Sequence, residues 1–411
     1  MPEKYFAPCP RGLETPLAAE IAKLGAQDIA PADGGVGFAG DLTLALHANL
    51  ESRLASRILW RVGGGGYRNE RDLYDVVQAI DWPRHFEAKR TLRVDVAAST
   101  RRAAPRVESP PGRQRSGAAA SVGGPRSSSP LTSLEFATLR IKDAVCDRQR
   151  AATGIRPSVD KRAPDVRVNV HLTDREATVY LDTSGEPLFK RGYRRDTDEA
   201  PLRENLAAGL LALAQWSPEQ TLLDPMCGSG TIAVEAALIA AGRAPGLARS
   251  FAFQKLAWYD GPAWQRSKQA ARDRIRAAPA SASIVASDKA AGAVAKTQAN
   301  ARNANVDAFL RIEQADVLTR SAPAASGVLV ANPPYGVRLE EADAMAAFYP
   351  RLGDALKRGF AGWTAYFLTG DLRLAKLIGL KPARRTPLWN GAIECRLFAF
   401  PLIEGSMRAR W

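Results

Sequence analysis

Four short apolar runs between residues 221 and 331 constrain the fold more than any other feature of this chain. They are Thr221-Leu222-Leu223, Ser283-Ile284-Val285-Ala286-Ser287, Phe309-Leu310-Arg311-Ile312 and Val328-Leu329-Val330-Ala331. Each is too short for a helix and reads as a buried strand. Each is followed within a few residues by an acid or an amide: Asp224, Asp288, Asp316 and Asn332. Helical segments lie between them, among them Thr231 to Ala241 and an Ala-rich stretch after Asp288. Repeated strand–helix units predict an α/β fold with a doubly wound, mostly parallel sheet. Ligands in such sheets bind outside the carboxyl ends of the strands. The four polar residues fall at those ends.

The first and last of these ends carry motifs. Asp224-Pro225-Met226-Cys227-Gly228-Ser229-Gly230-Thr231 is a glycine-rich loop opening a helix. Glycines let a ligand approach the backbone, and helix N-terminal N–H groups favour a carboxylate or phosphate. No Lys follows Gly230, so this is not a nucleotide-triphosphate loop. Asp224 at its entrance would repel a pyrophosphate and suits a ligand bearing an ammonium group. S-adenosylmethionine carries ammonium and carboxylate together and no phosphate. At the last end stands Asn332-Pro333-Pro334-Tyr335-Gly336. Two prolines offer no N–H and hold the carbonyls of Asn332 and Pro333 rigidly. An amide, a fixed carbonyl and an aromatic ring form a receptor for a planar group carrying NH2. Alone, the tetrapeptide also reads as a rigid turn with a packed Tyr, and each Asp alone as a cap or turn residue. The ordered set Asp224, Asp288, Asp316, Asn332 is far more specific.

With 411 residues the chain is long for one domain, and its 46% hydrophobic content is ample for real cores. The net charge of +14 and pI of about 9.9 suit a polyanionic partner, with an Arg-rich composition as the bland alternative. Four scattered cysteines (Cys9, Cys146, Cys227, Cys395) show no metal or redox spacing, which points to a reducing, cytoplasmic setting. No apolar run is long enough to span a membrane, and the first residues lack a signal pattern. The histidines are His47, His85 and His171, so no histidine base or histidine-held metal serves the C-terminal half.

Upstream, Tyr5-Phe6-Ala7 reads as a strand, and Gly12 to Leu24 as a helix stopped by Gly25. Asp33-Gly34-Gly35 reads as a hairpin turn. Leu42 to Leu59 carries apolar residues at helical spacing. Gly63 to Gly66 reads as a flexible link. Residues 101 to 130 hold six Arg against one Glu among Pro, Ser, Gly and Ala. They are expected to form a mobile surface insertion, with non-specific nucleic-acid contact as a second reading. Glu135 to Arg148 reads as a helix with Leu139 and Val145 inward. Residues 165–172 and 177–181 alternate as a hairpin. Lys190-Arg191-Gly192-Tyr193-Arg194-Arg195 sets cations around one aromatic, as a nucleic-acid contact or a solvated linker.

Asp-Pro-Met-Cys-Gly-Ser-Gly-Thr followed by Asn-Pro-Pro-Tyr-Gly resembles the class I S-adenosylmethionine-dependent methyltransferases that act on exocyclic amines. Ala200 to Ala207 and Arg243-Ala244-Pro245-Gly246 are similar to one branch, the bacterial 23S rRNA guanine-N2 methyltransferases with an N-terminal THUMP domain. Phe136 to Asp147, Ala163 to Val170 and Arg191 to Arg194 resemble its THUMP portion. The likeness covers almost the whole chain. The insertion at 101–130 and the glycine run at 63–66 depart from it on the RNA-binding side.

The resemblance implies an N-terminal ferredoxin-like α+β module (1–45), a THUMP RNA-binding domain (46–183) and a Rossmann-like methyltransferase domain (184–411). Ending at Trp411, the chain is expected to lack the second methyltransferase domain that some members carry. The resemblance assigns Asp224, Cys227, Gly228, Gly230 and Thr231 to the methionine end of S-adenosylmethionine, Asp288 to its ribose and Asp316 to its adenine. A flipped base would lie on Asn332, Pro333, Pro334 and Tyr335, with Tyr335 stacking for about 1–3 kcal/mol. No metal is implied. The expected partner is RNA, 23S rRNA first, with tRNA guanine, an adenine N6 amine and a non-catalytic RNA-binding role as alternatives.

Overall fold

The computed structural model describes residues 2–98, 131, 133–194, 202–333 and 339–403, the last segment with side chains from residue 347 onward. The insertion at 101–130 lies outside the described residues, as do Pro334 and Tyr335. The chain divides into two compact units. One comprises Met1–Ile58, Glu186–Phe251 and Asp260–Trp411; the other comprises Leu59–Gly185 and Ala252–Tyr259.

The first unit opens with β1 (Glu3–Pro8), α1 (Glu14–Lys23), β2 (Gln27–Ala32), β3 (Gly35–Gly40) and α2 (Leu42–Glu51). Leu17 and Ile21, four residues apart on α1, are fully buried, and Gly25 at φ +88° ends the helical path. β3 pairs antiparallel with both β1 and β2. Asp41 caps α2 by accepting from the Leu44 N–H at 2.7 Å. The helical spacing that ran on to Leu59 is cut short at Glu51. Ser52 turns to extended backbone and donates its hydroxyl to Glu20 at 2.5 Å. The division expected at 45/46 falls inside α2, and the compact segment runs on to Ile58.

The second unit holds β4 (Leu59–Gly66), α3 (Glu70–Gln78), β5 (Leu92–Ala98), α4 (Leu134–Thr153), β6 (Val166–Leu172) and β7 (Glu176–Asp182). β7 pairs antiparallel with β4 and β6, and β5 runs parallel to β6. The glycine run is a correction: Gly63 to Gly66 are strand residues, paired with Val179 to Glu176 after a bulge at Arg61. A Cβ on Gly63 would meet Ile80 at 2.6 Å, and one on Gly65 would meet Val76 at 3.2 Å. The missing side chains let the α3 segment lie close on the strand. On α4, Val145 is buried as expected, but Leu139 is 49% exposed and Ile141 takes the inward position.

The first unit resumes with α5 (Glu204–Leu213), β8 (Leu222–Asp224), α6 (Thr231–Ala240), α7 (Gly261–Asp273), β9 (Ile284–Asp288), α8 (Ala291–Ala304), β10 (Leu310–Gln314), β11 (Gly327–Ala331), α9 (Leu339–Gly359), β12 (Trp363–Thr369), α10 (Leu374–Leu377), β13 (Arg384–Asn390) and β14 (Ile393–Pro401). These strands form one seven-stranded sheet in the order β10-β9-β8-β11-β12-β14-β13. The first five are parallel; β14 runs antiparallel to β12 and β13. Leu329, Ala365, Phe367 and Phe400 of the sheet are buried against Tyr349, Leu352 and Leu356 of α9. Among the described residues no helix is long and apolar enough to cross a membrane.

Candidate active site

The strand order reverses between β8 and β11: β9 and β10 follow β8 outward on one side, and β12, then β14 and β13, follow β11 on the other. A reversal of this kind opens a crevice at the carboxyl ends of the two strands. Asp224 ends β8 and Asn332 follows β11 directly, and these strands are neighbours in register (Leu223 opposite Leu329). Asp288 ends β9, and Asp316 lies two residues past β10. The topology therefore brings the four residues picked from the sequence to one edge of one sheet.

Asp224 is buried at 1% exposure, and its Oδ1 has no hydrogen-bond partner among the described residues. Burial pushes its carboxyl up to about 8; the Asp288 charge adds to the rise and the Met226 N–H opposes it. The loop after it is held from behind. Cys227 N–H donates to the Ser287 carbonyl at 3.0 Å, and Gly228 N–H donates to Asp288 Oδ2 at 3.1 Å. Gly228 and Gly230 sit at φ +54° and +78°, a conformation that favours glycine. At Gly230 space is also decisive, since a Cβ would lie 2.5 Å from the Thr297 methyl. Burial, with the nearby Asp224 charge, raises the Cys227 thiol well above its usual range. Cys227 is therefore a packed thiol, not a nucleophile.

Asp288 also accepts from the Ala290 N–H at 3.0 Å, and Asp316 accepts from the Leu318 N–H at 2.9 Å. Each uses part of its carboxylate to brace its own turn and keeps acceptor capacity beyond it. Asn332 is half-buried; its Oδ1 is buried without a partner among the described residues, and Pro333 is buried. Two orphaned side-chain oxygens thus stand at the ends of adjacent strands. Buried acceptors left unpaired are costly, so this edge is built to receive donors.

Several contributors were not picked out from the sequence. Thr297 donates to the Gly228 carbonyl at 3.0 Å and meets Cys227 Sγ at 3.4 Å, while Asn300 donates to the Ser229 carbonyl at 2.8 Å. They sit three residues apart on α8 and so share one face. Two polar residues at that spacing in an Ala-rich helix were the available signal.

The cationic stretch at 190–195 is corrected in role. Arg191 and Tyr193 are buried, and Arg191 pairs with the fully buried Glu235 at 3.4 Å. Tyr193 donates to the same Glu235 at 3.3 Å. Arg194 donates through Nη2 to Thr231 Oγ1 at 2.6 Å. These side chains point into the protein, where they brace α6, and do not form a nucleic-acid surface. Arg195 lies outside the described residues. No cluster of His, Cys, Asp or Glu suited to a metal occurs among the described residues.

A seven-stranded sheet of this order, with an acid-led glycine loop at its reversal, is the class I methyltransferase fold. Three family models match in turn: the RlmL ferredoxin-like domain over 4–59, the THUMP domain over 67–182, and the RMKL-like methyltransferase domain over 191–399. The chain belongs to the RMKL-like methyltransferase family. It is 38% identical over 98% of its length to the ribosomal RNA large subunit methyltransferase K/L of Syntrophotalea carbinolica, covering 54% of that protein. It is 34% identical to the putative RNA methyltransferase slr0064 of Synechocystis, covering 97% of this chain and 96% of that one. The chain thus spans about half the length of the K/L relatives it matches. Among solved structures, SMU.472, a putative methyltransferase complexed with SAH, aligns with a TM-score of 0.83 at 26% identity, covering 100% of this chain and 99% of that one. A predicted N6-adenine-specific DNA methylase from Listeria monocytogenes aligns with a TM-score of 0.82 at 28% identity over 97% and 96%.

Proposed function

We propose that this protein transfers a methyl group from S-adenosylmethionine to the exocyclic N2 amine of a guanine in 23S rRNA. The observation that carries the reading is the pair of orphaned buried oxygens, Asp224 Oδ1 and Asn332 Oδ1, on adjacent strand ends. One suits an ammonium group and the other an aryl NH2. Neighbouring strands lie about 4.8 Å apart, a spacing that suits donor and acceptor held side by side.

In this reading Asp224 would hold the ammonium of the methionine end, with the loop through Thr231 around it. Asp288 would take the ribose and Asp316 the adenine amine. Bound there, the cofactor supplies a methyl already activated on a sulfonium. Asn332 Oδ1 and the Pro333 carbonyl accept hydrogen bonds from the target NH2. Two acceptors draw the nitrogen lone pair out of conjugation with the ring and stabilise the charge that develops on nitrogen. Holding amine and methyl in line supplies much of the remaining acceleration. Pro334 and Tyr335 complete the base seat, with Tyr335 stacking on the flipped base. The N-terminal module and the THUMP segment would dock the RNA. The four buried free cysteines suit a cytoplasmic setting.

The test uses labelled cofactor with deproteinised rRNA, tRNA and DNA, followed by nucleoside analysis. N2-methylguanosine in 23S rRNA is the expected product. N6-methyladenosine, or label confined to tRNA or DNA, sinks the assignment, and no transfer to any of them leaves an RNA-binding role.

A further inference from the structure

The reading above accounts for the β10-to-β11 side of the sheet edge and leaves the β12-to-β13 side without a role. β14 runs antiparallel to β12, with Thr369 opposite Arg396, so residues 390–393 at the β13–β14 tip stand beyond the carboxyl end of the sheet. That is the edge on which Asp224 and Asn332 lie. A cavity of about 390 Å³ opens there within the first unit, lined by Arg11, Ser56, Arg203, Leu206, Trp389 and Asn390. Its volume falls in the range of small-molecule and nucleotide sites.

The cavity is braced. Trp389 N–H donates to the Arg11 carbonyl at 3.2 Å, and the α-carbon of Gly12 packs so closely that a Cβ would lie 2.3 Å from the Pro387 carbonyl oxygen. Arg11 lies over the Trp389 ring at 6.0 Å. Its partner Asp33 is 76% exposed, so that ion pair is weak and open to exchange. Arg203, exposed at the start of α5, makes no ion pair with a described residue; its guanidinium lies over Phe189 at 5.0 Å. An aromatic plane beside the Arg11 guanidinium, in a cavity also lined by Arg203, matches one nucleotide: the base stacks on Trp389 and the backbone phosphate meets arginine. Three strand spacings, about 14 Å, separate β11 from β13. That places the cavity within a few nucleotides of a base seated at Asn332, on the side away from the cofactor acids.

We infer that this cavity binds a nucleotide flanking the target base, and so holds single-stranded RNA in register with Asn332. This rests on the RNA reading above. The experiment measures anisotropy of a short fluorescein-labelled single-stranded RNA with the full chain, wild type against Trp389→Ala, Trp389→Tyr and Arg203→Glu, with SAH affinity as the check on fold. Trp389→Ala should weaken RNA binding about tenfold. Trp389→Tyr should keep most of the affinity. Arg203→Glu should lower both affinity and its dependence on salt. SAH affinity should hold throughout. RNA affinity unchanged in both Trp389→Ala and Arg203→Glu overturns the inference, even if methyl transfer to rRNA is intact. Lost RNA affinity with no transfer to any RNA by the wild type leaves the cavity in place and overturns the proposed function instead.

Discussion

Asp224 and Asn332 carry opposite electrostatic burdens in the same crevice. A carboxyl pushed up to about 8 is largely protonated at neutral pH in the ligand-free protein. Its folded value exceeds the ordinary value of about 3.9, so the stability it contributes is full below pH 4 and is lost as pH rises through 8. Asp224→Asn should therefore flatten the ligand-free protein's thermal stability between about pH 4 and 8, as read by melting at several pH values. An ammonium-bearing ligand must also expel that proton. SAH affinity should rise toward pH 8 by up to about tenfold per unit, and this rise should vanish in Asp224→Asn. A flat wild-type profile by calorimetry would rule out the ammonium role. Asn332→Ala should behave differently: methyl transfer falls at least a hundredfold while SAH affinity stays within about twofold, because the amide faces the base. Retained transfer would remove Asn332 from the chemistry.

At the scale of elements, the cofactor loop depends on α8. Gly230→Ala forces a Cβ toward Thr297 at an unfavourable backbone angle. It should weaken SAH binding by tenfold or more while leaving RNA affinity unchanged. Equal loss of both would mean general unfolding. The parallel strands and their polar ends were legible in the sequence because buried strands read as short apolar runs and ligands gather at their carboxyl ends. β13 was not legible: Arg384-Arg385-Thr386-Pro387 has no alternation, and a proline is tolerated there because the strand lies at the sheet edge. The glycines of β4 and the cations Arg191 and Arg194 misled for a related reason. Composition suggests exposure or flexibility, whereas a strand partner and the buried Glu235 decide the outcome. Leu139 followed helical spacing and still ended exposed, since spacing fixes a stripe and not which neighbour covers it.

Over the whole molecule, one buried polar network ties the N-terminal module to the methyltransferase sheet within the first unit. Arg53 donates to the Arg243 carbonyl at 2.7 Å, Arg191 donates to the Arg53 carbonyl at 2.6 Å, and Asn205 donates to the Leu54 carbonyl at 3.2 Å. Glu235 is the carboxylate at its centre. Glu235→Ala leaves buried cations uncompensated and should cost about 3–5 kcal/mol in a denaturant melt. An unchanged midpoint would show that the network is dispensable. The net charge of +14 acts at the same scale. RNA affinity should fall steeply between low and moderate salt, whereas SAH affinity should hardly move.

The backbone bond from Trp389 to Arg11 joins residues nearly the whole chain apart. Contacts of such separation form late, after most of the ordering entropy has been met. During synthesis the strands β1 to β3 leave the ribosome long before β13 exists. The loop after β1 must therefore wait for that partner. The cofactor loop, built from residues that emerge earlier, can fold first.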